Sequence, residues 1–264
     1  MKVQIVTDLE GISLVDSIDM MDRKSEGYRF ACHRLMLDTN AAIQGAIDAG
    51  ADEIIVTDGH GGGGNFIEGE LDPRATQYWD YEDKSLYKDC VACLHIGLHA
   101  KPGTLNGFLD HVQSSLAYTN YYVNGKKCGE LVQNALFCGS CGVPVVMVSG
   151  DEAACAEAAE TIEGIECAVV KRGIGRNRAE CISSEEALER IRIAAYNGVK
   201  KAASIKPYTV EFPATIKLEF PRSDYCEKHL EYYSQYTRVD ARTIVHTIDK
   251  IGTFLDLTLQ QDPE

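Results

Sequence analysis

A doubly wound, mostly parallel α/β sheet with a small C-terminal α+β appendage is the fold class this sequence predicts. Three observations carry the prediction. Short apolar runs recur at residues 2–6 (KVQIV), 53–57 (EIIVT), 91–97 (VACLHIG) and 144–148 (PVVMV). Strands covered on both faces read as continuous apolar runs rather than as alternation. Helix-like segments lie between most of these runs, and that alternating order argues for a parallel sheet. Around Lys206-Pro207 the rhythm changes, which sets a smaller unit apart.

Taken in order, the first strand closes on Thr7-Asp8-Leu9-Glu10-Gly11, and a polar stretch follows to Ser25. An amphipathic helix then spans residues 28–49 and stops at Gly50, a residue suited to that position. After the strand at 53–57 come a glycine loop at 61–64 and an irregular region ending at Asp72-Pro73. The strand at 91–97 leads into a loop carrying His111, and residues 121–123 precede Asn124-Gly125, a hairpin turn signal. A helix at 130–137, a strand at 144–148, an alanine-rich helix at 151–162 and a strand at 167–170 continue the pattern. The helix at 183–204 opens on Ser183 and Ser184 ahead of Glu186, a plausible cap. The chain is thus expected to divide into residues 1–205, a large α/β domain, and residues 206–264, a small α+β domain. In the latter, 215–220 and 243–247 read as strands, 224–236 and 250–259 as helices.

Bulk properties narrow the function. A chain of 264 residues can bury a substantial core. Its net charge of −14 disfavours nucleic acid and anionic membranes, which attract Lys/Arg clusters. No apolar run approaches the roughly 20 residues that span a bilayer. Met1-Lys2 leads straight into a strand without a secretory pattern, so a cytoplasmic protein is expected. Two of the ten cysteines' spacings, Cys90/Cys93 and Cys138/Cys141, have the CxxC form of a structural zinc site. Cys93 lies in an apolar strand and Cys138 near a helix end, without the basic, glycine-rich surroundings of a zinc knuckle. They are read as free, reduced thiols that hold no structural metal.

The chemistry concentrates at the strand ends. Asp8 and Glu10 are two apart, so in extended chain they face the same side. The next strands lead into Asp58-Gly59-His60 and into Leu98-His99-Ala100. Asp8, Glu10, His60 and His99 therefore meet at the C-terminal edge of the sheet, where open α/β sheets bind ligands. Adjacent acids at a buried strand end repel without a cation, and a mixed nitrogen and oxygen set suits zinc. The expected class is a metal-dependent hydrolase. Residues 59–64 also spell GxGxxG after a strand, as in a dinucleotide loop. That loop must open a helix, and Gly69 and Asp72-Pro73 leave little room for one. His95 is assigned to the core or an interface, and His33, His229 and His246 to structural positions.

The ordered motifs Asp8-Leu9-Glu10-Gly11-Ile12, Asp58-Gly59-His60, Gly97-Leu98-His99-Ala100, Gly129-Glu130-Leu131, Val143-Pro144-Val145 and Gly150-Asp151 resemble those of the zinc-dependent D-aminopeptidases, a self-compartmentalising family. Gly59 stands where the family has Ser, and the segment from His99 to His111 is about one residue longer. The resemblance is good over residues 1–205 and loose beyond. It implies two zinc ions per chain held by Asp8, Glu10, His60, His99 and Glu130; on spacing alone Glu130 would be an exposed helical residue. Asp8, nearest the strand end, is the candidate bridge. A metal-activated water would attack the peptide carbonyl, and His111 is the candidate catalytic residue, for proton transfer or oxyanion stabilisation. Implied substrates are short peptides or amides with an N-terminal D-amino acid. The implied assembly is a ring-shaped homo-oligomer, with a decamer as a candidate size. Two alternatives stay open: another dinuclear-metal hydrolase (amidohydrolase or phosphoesterase), which phosphatase activity would favour, and a non-catalytic dipeptide-binding protein, which zinc binding without turnover would favour.

Overall fold

The apolar runs assemble as the middle of a seven-stranded sheet in the computed structural model, which describes residues 1–80 and 82–258. Along the chain β1 (Lys2–Thr7), α1 (Glu26–Asp48), β2 (Glu53–Asp58), β3 (Thr76–Tyr78) and β4 (Cys90–Leu98) come first. The hairpin of β5 (Asn120–Val123) and β6 (Lys126–Cys128) follows. Then come α2 (Glu130–Ser140), β7 (Val145–Asp151), α3 (Glu152–Thr161), β8 (Glu166–Gly175), β9 (Arg178–Cys181) and α4 (Ser184–Lys201). The last part holds β10 (Ala214–Glu219), α5 (Ser223–Tyr232), β11 (Thr237–Asp240) and β12 (Thr243–Ile248). The large sheet runs β3-β2-β1-β4-β7-β8-β9, and every neighbouring pair is parallel except β8 with β9.

The chain steps one way from β1 to β2 and the other way from β4 through β7 to β8. Crossovers between parallel strands are right-handed, so α1 lies on one face and α2 and α3 on the other. The helix α4 returns to pack on α1. This is the doubly wound sheet the sequence predicts. Every residue of β7 is buried, as are the last seven of β4, which is why both read as unbroken apolar runs. Side-chain caps fix the helix starts: Ser25 accepts from the Tyr28 amide, Asp151 from Ala154 and Ser183 from Glu186. With Ser25 as cap, α1 begins at Glu26, two residues before the apolar periodicity announces it. Strand order reverses between β1 and β4, and the crevice at their C-terminal ends is the ligand side of such a sheet.

Two features shape that crevice. The Asp8 amide donates to the Ile96 carbonyl at 2.7 Å and the Gly11 amide to Gly97 at 2.6 Å, so the chain after β1 stays laced to the end of β4. A Cβ on Gly11 would sit 2.2 Å from the Leu98 carbonyl oxygen, and one on Gly97, where φ is +82°, 2.2 Å from that of Asp8. Only glycine permits this approach at both positions. On β8 the buried Lys171 donates through Nζ to the carbonyls of Glu10, Ile12 and Val15 at 2.5, 2.9 and 2.6 Å. Its ammonium also lies 4.4 Å from the Phe108 ring centroid, and burial brings its pKa down to about 8.

The second sheet is antiparallel, in the order β11-β12-β10-β5-β6. The strands after residue 205 thus share a sheet with a hairpin from residues 120–128. That hairpin turns at Asn124 (φ 48°) and Gly125 (φ 78°), as the sequence signal predicts. Three expectations need correction. The region after Pro73 contains the edge strand β3, too short to register as an apolar run. The helix expected to reach 236 ends at Tyr232, and the wholly exposed β11 follows. For the helix expected at 250–259 there is a single 3-10 turn, Phe254–Asp256; position 259 lies outside the described residues. Asp256 accepts from the amides of Gly252 and Thr253, a local bond that competes with helix propagation. Among the described residues no helix is long and apolar enough to cross a membrane.

Replacing Gly97 by Ala forces a methyl group into the Asp8 carbonyl. It should cost about 1–3 kcal/mol, the usual range for overpacking a well-filled site. Urea denaturation is expected to show a lower midpoint at unchanged slope. A wild-type midpoint would show that the strand ends separate at no cost.

Candidate metal centre

The C-terminal edge collects all six residues singled out in the sequence. Asp8 and Glu10 follow β1, His60 follows β2 and His99 follows β4. Glu130 opens α2 with Gly129 as N-cap, and the loop between β4 and β5 brings in His111. β1 itself ends at Thr7; Glu10 reaches the shared space from the turn after the strand rather than from extended chain. His60 Nδ1 lies 3.1 Å from Asp8 Oδ1 and 2.9 Å from Glu10 Oε2. His99 Nε2 lies 3.5 Å from Asp8 Oδ2 and 3.2 Å from Glu130 Oε1. His111 Nε2 faces Glu10 and Glu130 at 3.9 and 3.8 Å, its ring stacked on that of His99 with centroids 3.8 Å apart.

Neighbouring hydrogen bonds fix which nitrogen two of the three rings offer. His99 Nδ1 donates to the Ala100 carbonyl at 3.1 Å and His111 Nδ1 to the Leu109 carbonyl at 2.7 Å. Both therefore turn Nε2 toward the carboxylates, the usual way a ligating imidazole is oriented. Glu130 Oε1 accepts from the Gln113 amide at 2.6 Å. Leu109 and Gln113, on either side of His111, both adopt positive φ (50° and 58°), a costly conformation for non-glycine residues and one that clusters at functional sites. Asp58 does not enter the cluster: it accepts from the backbone and side chain of Asn65, whose Nδ2 also donates to the His60 carbonyl at 2.8 Å. Sequence reasoning missed Asn65, Gln113 and Lys171, whose work is to hold backbone in place and leaves no spacing signal.

Burial and close contact shift the charges of the cluster against one another. Burial, then the charge of Glu10, pushes the Asp8 carboxyl up to about 7. Burial would raise Glu10 as well, but the adjacent His60, with His111 and His99, holds it well below the usual carboxylate range. Glu130 is buried too, yet His99 brings it down to about 2. The converse holds for His60 and His99: burial opposes their charge, while Glu10 and Glu130 respectively raise them far above an ordinary imidazole. His111 is lowered by burial and by His99. The carboxylates thus depend on borrowed protons. Even so, Asp8 Oδ2 and His99 Nε2 are buried without a hydrogen-bond partner. Unpaired buried polar atoms are costly, and a cation between them would satisfy both. Two overlapping sets, Asp8–Glu10–His99 and His99–His111–Glu130, have donor atoms within 4.8 Å of one another.

Asp8, Glu10, His60, His111 and Glu130 border a cavity of about 270 Å³. Among the described residues lining it, none is Lys or Arg. The glycine run covers one side: His60–Gly62 makes a single 3-10 turn, and Gly61, Gly62, Gly63 and Gly64 all have φ between 54° and 84°. Arg23 Nη2 donates to the carbonyls of Gly61 and Gly63 at 3.1 and 3.0 Å. A run at positive φ cannot begin an α-helix, so the GxGxxG match is not a dinucleotide loop. Away from the cluster, His33 pairs with Glu70, and His229 and His246 bond the carbonyls of Tyr225 and Gln235.

Comparison with known proteins identifies the family. The profile of peptidase family M55, described as D-aminopeptidase, matches residues 1–259. A D-aminopeptidase of Bacillus subtilis (strain 168) is 28% identical over 225 residues, covering 83% of this chain and 81% of that protein. The solved structure of the zinc-dependent D-aminopeptidase DppA from Bacillus subtilis, described as a self-compartmentalizing protease, is similar with a TM-score of 0.88 and 25% identity, over 95% of this chain and 92% of that one. With the profile spanning nearly its whole length, this chain belongs to peptidase family M55, the D-aminopeptidases, and is a peptide-bond hydrolase.

Proposed function

We propose that the cluster is a dinuclear zinc centre that hydrolyses short peptides or amides bearing an N-terminal D-amino acid. One observation carries the reading: the two oxygens of Asp8 face different donor sets. Oδ1 faces His60, which also meets Glu10, and Oδ2 faces His99, which also meets Glu130. Asp8, Glu10, His60, His99 and Glu130 would hold the metal, with Asp8 as the candidate carboxylate shared between the Glu10/His60 and the His99/Glu130 donors. Nitrogen and carboxylate donors suit zinc, and the structurally similar DppA is zinc-dependent. Bound zinc supplies Lewis-acid polarisation of the scissile carbonyl and acidification of a water.

The chain's own residues supply the rest. His111 presents an unprotonated Nε2 to the cavity, so it can accept a proton from the attacking water and return it to the leaving amine. The Leu109 carbonyl and the His99 ring hold it in that pose. Among the described residues lining the cavity there is no Lys or Arg to grip a phosphate group, whereas a carboxylate there can pair with a peptide's N-terminal ammonium. That favours an aminopeptidase over a phosphoesterase. Selectivity for D-residues rests on the family. The self-compartmentalizing character of DppA supports a homo-oligomeric ring here as well, and the exposed Trp79, Leu105 and Leu116 (76%, 87% and 76% accessible) suit subunit contacts. The proposed location is cytoplasmic.

With zinc content measured on the same sample, kcat/KM for D-Ala-D-Ala is expected to exceed that for L-Ala-L-Ala. Faster cleavage of the L,L peptide would reject the stereochemical assignment; bound zinc with no turnover of either would reject short dipeptides as substrates. His111→Ala should keep its zinc and lose roughly 10²–10⁴-fold in kcat, the range for a lost proton-transfer group. KM should change much less, because the lost interaction belongs to the transition state. Wild-type turnover in that variant would make His111 a bystander.

A further inference from the structure

The two CxxC pairs meet in the fold, one cysteine from each. Cys93 and His95 are two apart on β4 and so share a face, and Cys138 on α2 packs against them. The two sulfurs and an imidazole nitrogen lie within 4.8 Å of one another, with Cys93 Sγ 3.8 Å from His95 Nε2. All three side chains are buried. Their partners Cys90 and Cys141 stay outside: the Cys90 thiol donates to the Leu86 carbonyl, and Cys141 lies beside the Ser140 hydroxyl. This is not the four-thiolate arrangement that the spacing raised, and it is more than the scattering of inert thiols that the apolar context suggested.

We propose that Cys93, His95 and Cys138 form a second cation site, separate from the Asp8 centre, for a thiophilic d10 ion, Zn2+ or Cu+, held by two sulfurs and one nitrogen. The proposal is independent of how the Asp8 centre is read. Thiolate-rich sets select such ions, whereas a carboxylate-rich set takes harder ones. A ligand sulfur must be deprotonated. Hydrogen bonds from Cys93, and against burial from His95 and Tyr87, bring Cys138 down to about 6. Cys93, pushed up by burial and by Cys138, keeps the proton that an arriving cation would displace. His95 also lines the cavity that holds the Asp8 cluster, which gives an entry route to an otherwise closed pocket.

Cobalt substitution separates the two centres. Nitrogen and oxygen donors give no sulfur-to-cobalt charge transfer, so a near-ultraviolet thiolate band reports this site alone. Adding Co2+ to chelator-treated wild-type protein is expected to give that band, saturating at one equivalent. Cys138→Ser should lose it, and Cys90→Ser/Cys141→Ser should keep it. Metal analysis after separate Zn2+ and Cu+ loading is expected to give one equivalent fewer of one of these ions in Cys138→Ser than in wild type. That arm identifies the ion, and equal content for both overturns the proposal. Absence of the band from wild-type protein overturns it without reference to any variant's folding. Loss of the band in Cys90→Ser/Cys141→Ser would overturn the assigned ligand set.

Discussion

Repulsion among three carboxylates in one buried space organises this end of the molecule. Asp8, Glu10 and Glu130 face a common cavity with three imidazoles between them. The buried Lys171 does not pair with them: it gives its donors to the carbonyls of Glu10, Ile12 and Val15. Like charges out of water must take up protons, gather counter-charges or bind a metal. The imidazoles meet part of the need, yet a carboxylate oxygen and an imidazole nitrogen remain buried and unpartnered. A divalent cation answers both the charge and the unpaired atoms.

The fold assembles this costly arrangement from rigid parts. β1, β2 and β4 are adjacent in the sheet, so three loops leave the same edge with little freedom to diverge. The Gly11–Gly97 contact draws the first and third of these loops together, and Lys171 fixes the carbonyls of the first from behind. The His111 loop is pinned at several points: Phe108 donates to Asp151, Leu109 to the Arg176 carbonyl and Lys101 to Glu157. Reactive side chains are thereby held by backbone that cannot relax away from the repulsion.

The sheet's centre and four of the donors were legible in the sequence. Central parallel strands advertise themselves as apolar runs, and a strand's end is a defined place, so Asp8, Glu10, His60 and His99 could be put at one edge. Glu130 was not legible from spacing, because its place depends on where α2 lands; only the family motif pointed to it. His111 sits in a loop whose path is set by tertiary hydrogen bonds, and it too was found by resemblance. β3, β9 and β11 have three or four residues each and no unbroken apolar run, so they gave no signal. The pairing of β5 with β10 joins segments far apart in the chain and has no local signature. The same holds for Cys93 and Cys138, read separately as buried thiols before the fold brought them together.

The central proposal is that Asp8 lies between two metal positions. Anomalous diffraction at the zinc absorption edge, on crystals of zinc-loaded protein, tests it most directly. The account predicts two peaks flanking the Asp8 carboxylate, one beside Glu10 and His60 and the other beside His99 and Glu130. A single peak away from Asp8, or none at this edge of the sheet, would contradict it.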